Sequence, residues 1–385
     1  MSETKGFRML FCIVTAMLAT VLFAIGGNKN WELTGTNDWE TGTNWDPDGV
    51  PASVNSDDAK LFNGGTARIT QDGQSAQSLT LAFGGGDSGH VRMESGSLAI
   101  SQNQTLGRGG TGTFTQLAGT NTAGADVVLG EQSGGFGGYY LQGGSFAVNN
   151  GHIRVGHLNG STGEVVQTGG RLEAMTSNKY LYLGVDAGST GSYTMSGSAV
   201  VALTNTENYI FCGEYGTGTF IQSNGTVAVK SYVMVGRRNG STGCYRIEDG
   251  TLDIDGWLVV GEEATATGTF EVKGTAPTIT VGGQYSQNSL SALKVELNAS
   301  GVSPITVSGA ATVNGSLTVA FDGTDYGDLA DTVTIINAAG LSGTFTSTNV
   351  VAPLLGVEVV YDVGSGDVKL TNFEFPPTGT IVLIQ

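Results

Sequence analysis

Across residues 89–285, apolar and polar side chains alternate with period two, and glycines interrupt the alternation at regular intervals. A hydrophobic-x-hydrophobic-Gly phrase recurs as VVLG (127–130), IRVG (153–156), LYLG (181–184), IFCG (210–213), VMVG (233–236) and LVVG (258–261), with a weaker TLG at 105–107. The glycines closing these phrases are 23 to 29 residues apart. A Gly-x-aromatic phrase follows: Gly112/Phe114, Gly138/Tyr140, Gly191/Tyr193, Gly218/Phe220, Gly243/Tyr245 and Gly268/Phe270, with Val165 in the slot after Gly163. A third phrase comes after a glycine turn, as in Ser145-Phe-Ala-Val, Arg171-Leu-Glu-Ala and Thr251-Leu-Asp-Ile. A helix would need apolar residues spaced near 3.6, so each unit of about 25 residues predicts three short strands and their turns.

No phrase can bury a hydrophobic face alone, so the units must stack. The predicted fold is all-β, a parallel β-helix (β-solenoid) with three strands per coil and glycines at the positive-φ corners. A propeller blade would need four strands and about 40 residues. Strand parity assigns the faces. One and three positions before the phrase-closing Gly stand Leu129/Val127, Val155/Ile153, Leu183/Leu181, Cys212/Ile210, Val235/Val233 and Val260/Leu258, an aliphatic ladder that must point inward. The aromatic slot from Phe114 to Phe270 predicts a second inward stack. Seven or eight coils at ~4.8 Å per rung predict an axis of roughly 35 Å.

The same parity turns other residues outward. Four before Gly the rungs carry Asp126, His152, Tyr180, Tyr209, Tyr232 and Trp257; two before, they carry Val128, Arg154, Tyr182, Phe211, Met234 and Val259. Tyr180, Tyr209, Tyr232 and Trp257, flanked by Tyr182 and Phe211, therefore form an outward aromatic row. Such a row is either a stacked ladder that stabilises the sheet or is covered by another segment or subunit, or it is a platform for glycan.

The ends break the pattern. Lys5 and Arg8 precede an apolar run over 9–24, the form of a secretory signal peptide over 1–26, with no membrane span expected after cleavage. Residues 27–88, with Trp31, Trp39, Trp45 and a turn at Asp48-Gly49-Val50-Pro51, predict an N-terminal cap; Asp57 and Asp58 read as a turn before a cation site. Repeats follow over 89–285. Longer alternating runs over 286–372 predict final rungs or a small sandwich cap, and 373–385 forms a tail.

Composition narrows the class. Glycine numbers 62, charged residues are 13%, and 17 Lys+Arg against 34 Asp+Glu give a net charge of −17. No basic stripe is available to neutralise phosphates, which argues against nucleic acid. After signal removal two cysteines remain; Cys212 should be core, Cys244 should face outward, and both are expected as free thiols.

The segment Trp39…Asn44-Trp45…Gly49-Val50-Pro51…Asp58-Ala59, the repeated Gly-Thr-Phe-x-Gln and x-x-Val-Gly phrases, and the ending Leu341-Ser-Gly-Thr-Phe…Val360-Tyr-Asp…Val368-Lys-Leu resemble a bacterial extracellular family. That family is the autotransporter-associated β-strand-repeat and PEP-CTERM-type group of secreted proteins. The resemblance implies a right-handed parallel β-helix, export, and a surface or matrix role. The chain lacks that group's Pro-Glu-Pro, apolar and Arg-rich sorting tail, and it lacks the strands of a membrane barrel.

Motifs for zinc hydrolysis, redox dithiols, nucleophile elbows or phosphate loops are absent from the sequence. His90, His152 and His157 lack metal-ligand spacing, and neither a metal nor a cofactor is expected. The densest polar cluster is Arg246, Glu248, Asp249, Asp253 and Asp255. An enzyme would set Asp253 and Asp255 on one strand face with Arg246 nearby; the plainer reading is a solvated, ion-paired corner. Asn-Gly-Ser/Thr triplets at Asn159, Asn224, Asn239 and Asn314 read as tight turns. The sequence thus points to an exported structural or adhesive surface or matrix protein, non-enzymatic, with extracellular polysaccharide, matrix or its own copies as partners. A polysaccharide lyase or hydrolase on the same scaffold is the alternative.

Overall fold

A computed structural model describes residues 26–323 and 328–376; the segment before 26, expected as a signal peptide, residues 324–327 and the residues from 377 onward lie outside them. Each coil is three strands. Val127–Leu129 carries the phrase ending in Gly (face one), Phe136–Leu141 the aromatic phrase (face two) and Ser145–Val148 the third phrase (face three), before the chain returns to face one at Ile153–Val155. Each strand pairs parallel with its counterpart one coil on: Val127 with Ile153, Phe136 with Thr162, Ser145 with Arg171. The chain is a parallel β-solenoid.

Face two alone is a 13-stranded sheet running from Thr36–Asp38 to Ser347–Val350. Its twelve steps at ~4.8 Å make an axis of about 60 Å, longer than the sequence suggested. Coiling begins inside the segment expected as a cap, where Asn28 pairs parallel with Asp58 and Thr36 with Thr66. It continues past 286, through Ala292 with Ser316 and Ser316 with Ser347. These rungs need only extended backbone and apolar inward residues, so they fold without the glycine phrase that marked the central coils. The far end closes on antiparallel pairing of Thr332–Gly343 and Gly356–Asp362 with Asp367–Glu374. At the near end Trp31, Trp39 and Trp45 are buried, with ring centroids 5.0 Å (Trp31–Trp45) and 4.7 Å (Trp39–Trp45) apart, edge to face. Trp45 Nε1 donates to the Trp39 carbonyl at 2.9 Å. Among the described residues no helix is long and apolar enough to cross a membrane.

The aliphatic ladder of face one is fully inside, Cys212 included. Facing it, Tyr193, Phe220 and Tyr245 stack at 4.7 Å with planes within 6° of parallel, and Phe270 continues at 5.6 Å. Each buried ring contributes about 1.5–3 kcal/mol. One assignment is corrected. Tyr139, not Tyr140, takes the inward slot, because Gly137 pairs with Gly112 and Tyr139 with Phe114. Tyr140 points out, where its hydroxyl donates to Glu164.

Two glycine columns shape the central coils. The phrase-closing glycines turn the corner with positive φ, as at Gly236 (φ 74°). A second column on face two, including Gly218, Gly243 and Gly268, lets the chain pass that corner. A Cβ at Gly243 would sit 2.1 Å from the Cys212 carbonyl oxygen and 2.2 Å from Gly236 N.

The core also holds glutamines. Gln222 is fully buried; its Nε2 donates to the carbonyls of Gly225 (3.1 Å) and Thr251 (2.9 Å), and its Oε1 accepts the Tyr245 hydroxyl at 2.8 Å. Gln116 and Gln167 do the same with Tyr139 (2.6 Å) and Tyr193 (2.5 Å). A coil with an inward Gln is thus followed by a coil with an inward Tyr. Every polar atom of the clamp finds a partner, as burial demands.

Candidate ligand-binding face

The outward row lies where parity placed it. Tyr180 pairs with Tyr209 and Tyr209 with Tyr232 along face one; Trp257 precedes the next strand, Leu258–Val260. Successive ring centroids are 4.9 Å (Tyr180–Tyr209), 5.2 Å (Tyr209–Tyr232) and 5.4 Å (Tyr232–Trp257), with planes tilted 30° to 39°. Rings lying side by side in one plane could not approach closer than roughly 6.3 Å, two ring radii plus a ~3.5 Å carbon contact. The rings therefore stand on edge and overlap face against face. The row offers solvent its edges and hydroxyls while its inner faces are covered by neighbours, so the six residues are not a flat shelf.

A second row reinforces the first. Phe211, Met234 and Val259 are outward but nearly buried, sheltered by Tyr180, Tyr182, Tyr209 and Tyr232. Tyr182 stacks on Phe211 at 5.1 Å. The Arg237 guanidinium lies 4.4 Å over the Phe211 ring and grips both Glu214 carboxylate oxygens, at 2.7 and 2.8 Å. Burial works against the Arg237 charge, but the bond to Glu214 and its field outweigh that and hold the pKa above its ordinary value. Burial raises the Tyr180, Tyr182 and Tyr209 hydroxyls. At the N-terminal end of the row His152 stacks on Tyr180 at 4.8 Å, and its Nδ1 accepts the Tyr180 backbone N–H at 3.2 Å. Burial, then the Arg154 charge, lower the His152 pKa.

At the C-terminal end the row stops. Trp257 is 40% exposed, the most open ring of the set. The next coil has Gly283 under its indole, where a Cβ would lie 2.3 Å from Cδ1, and Ser286 paired with Val259. The drop from Val259 to Ser286 beside the indole leaves a depression of about 350 Å³ lined by Tyr232, Trp257, Val259, Glu262, Ser286 and Asn288, among others.

The acidic corner is arranged differently from the enzyme expectation. Asp253 and Asp255 do share an open depression with Lys230, but Arg246 is not among its lining residues. Asp255 binds Lys230 at 2.6 Å and Asp253 accepts the Thr280 hydroxyl at 2.6 Å. Arg246 belongs to face two and binds Glu271 at 2.9 Å, with Glu248 at 3.9 Å. Asp249 accepts from Asn224 and from the Gly250 N–H. Strand order explains this: Arg246 and Asp253 lie on different faces of one coil.

Among the described residues no three His, Cys, Asp or Glu side chains converge on a metal position. Asp57 accepts the Ala52 N–H at 3.1 Å, closing a turn, while Asp58 starts a strand and accepts the hydroxyl of Ser78, its partner on the next coil, at 2.6 Å. Cys212 is buried, Cys244 half-buried, and both thiols are free and pushed up in pKa by burial. The glycines after Asn159, Asn224, Asn239 and Asn314 have positive φ, as tight turns require. Sequence reasoning missed Arg237 as a lid on Phe211 and the step beside Trp257. The signal for the latter was present: Ser286 ends the run of bulky residues on the outer strand. Comparison with protein-family models, curated proteins and solved structures found no match to this chain.

Proposed function

We propose that the chain is an exported, non-catalytic rod that serves as a structural or adhesive element of the cell surface or extracellular matrix, meeting glycan on the outer side of face one. The observation that carries this reading is how the outer charges are used. Many of them bridge neighbouring coils: Arg108 to Glu131 (3.1 Å), Arg154 to Asp126 (2.5 Å), Lys230 to Asp255 (2.6 Å), Arg238 to Glu263 (2.7 Å) and Arg246 to Glu271 (2.9 Å). One exposed pair is worth only ~0–1 kcal/mol, but a series along the axis resists splaying of the coils. Export rests on the Lys5, Arg8 and apolar 9–24 pattern and on the resemblance to secreted surface proteins.

The competing reading, a polysaccharide lyase or hydrolase, would have to use Asp253 and Asp255, and both are already bound to cross-coil partners. The full chain, expressed in a bacterial host, should leave the cytoplasm, and the purified protein should adsorb to polysaccharide-coated beads without releasing reducing or unsaturated sugars. Retention in the cytoplasm would defeat the proposal. So would product release that Asp253→Asn and Asp255→Asn abolish.

A further inference from the structure

A stack of rings has free faces only at its ends. In the outer row one end is closed by His152 on Tyr180, while at the other Trp257 is followed by Gly283 and Gln284 instead of a ring. Trp257 is therefore the member of the row with a face not covered by another ring; Gly283 packs against its Cδ1–Nε1 edge, and the indole lines the depression of about 350 Å³. This volume falls within the ~300–1,000 Å³ of small-molecule sites. Polar groups line the same depression. The Ser286 hydroxyl has no hydrogen-bond partner among the described residues. Glu262 keeps acceptor capacity beyond its single bond from Arg237 Nε at 3.1 Å.

An indole face suits the apolar face of a pyranose ring, and a hydroxyl and a carboxylate beside it suit the ring's equatorial hydroxyls. Charge narrows the class further. Glu262 is the charged side chain lining the depression and the chain carries −17, so a uronic acid would meet repulsion. We propose that the step beside Trp257 is a binding site for one neutral pyranose unit of a glycan, held against the indole with hydroxyls toward Glu262 and Ser286. This rests on the glycan-contacting side assigned above, and it moves the contact from the whole row to the row's end.

Trp257 is also the reporter, because Trp31, Trp39 and Trp45 are buried. The full chain is titrated with cellopentaose, mannopentaose and maltopentaose, and with pentagalacturonate as the anionic control, by intrinsic fluorescence and calorimetry. At least one neutral oligosaccharide should give a saturable change that protects fluorescence from acrylamide, and pentagalacturonate should give none. Trp257→Ala should weaken calorimetric binding by about tenfold or more, and Trp257→Phe, which keeps a ring, should recover part of it. Tyr209→Ala, which removes a ring covered on both faces, should stay within about twofold. No saturation by any neutral pentasaccharide overturns the site. So does loss of binding in Tyr209→Ala with Trp257→Ala unaffected, which would return the contact to the row. The reading as an exported rod fails on a separate measurement, secretion of the chain, which Trp257→Ala leaves unchanged.

Discussion

Replacing Tyr245 by Phe removes one oxygen from a fully enclosed position. In the wild-type chain that hydroxyl donates to Gln222 Oε1 at 2.8 Å, and Gln222 Nε2 is held by two carbonyls, so the amide cannot turn to find another donor. Tyr245→Phe therefore strands a buried acceptor, at a cost of about 1–3 kcal/mol. Gln222→Leu strands the Tyr245 hydroxyl instead and removes the amide's bonds to the Gly225 and Thr251 carbonyls, of which Gly225 keeps the Thr251 N–H at 2.9 Å; the expected cost is again about 1–3 kcal/mol. The double variant leaves neither orphan, and Phe270 shows that a Phe stacks in this slot. Its loss should fall below the sum of the singles by about 1–2 kcal/mol. The assay is urea unfolding of the full chain followed by circular dichroism, with the four slopes compared first, because stacked coils can unfold piecewise. Additivity within about 0.5 kcal/mol would refute the clamp as a coupled unit.

Two further outcomes follow from the same structure. Gly243→Ala puts a Cβ against two backbone atoms that cannot move aside, at 2.1 and 2.2 Å, so the urea midpoint should drop by the equivalent of several kcal/mol, about 3 or more, and an unchanged midpoint would contradict the close approach. His90, His152 and His157 all have pKa values lowered mainly by burial, so the folded chain favours their neutral forms. Their contribution is complete above the unfolded value near 6.5 and is lost as pH falls through that value toward the lower folded ones. The urea midpoint should therefore decline between about pH 7 and pH 5, less steeply in His152→Ala, and a flat or rising profile would refute it.

The repeated core was readable because its two signals, glycine at fixed places and aliphatic residues at alternate ones, follow directly from corner geometry and strand pleat. The misplacement of Tyr140 shows where this stops. In Gly137-Gly138-Tyr139-Tyr140 both register frames satisfy the phrase, and only pairing with Gly112 and Phe114 chooses between them. The N-terminal rungs escaped, and the C-terminal ones stood only as one of two alternatives, because backbone pairing leaves no residue signature of its own. Gln116, Gln167 and Gln222 stand at inward positions, where a polarity rule expects apolar residues, and their partners lie 23 to 26 residues away on the next coil. Parity correctly put Tyr180 through Trp257 outside, but it says nothing about ring orientation. Whether a ring lies flat or on edge depends on rung spacing and on its neighbours.

The clamp has a consequence for how such a chain can change in length. Gln116, Gln167 and Gln222 stand 51 and 55 positions apart, so the module is two coils long. Excising or duplicating one coil would set glutamine against glutamine, or leave a tyrosine with no acceptor, in the driest part of the molecule. Whole doublets can be gained or lost without that mismatch. Rods descended from this pattern should therefore differ in size by even numbers of turns.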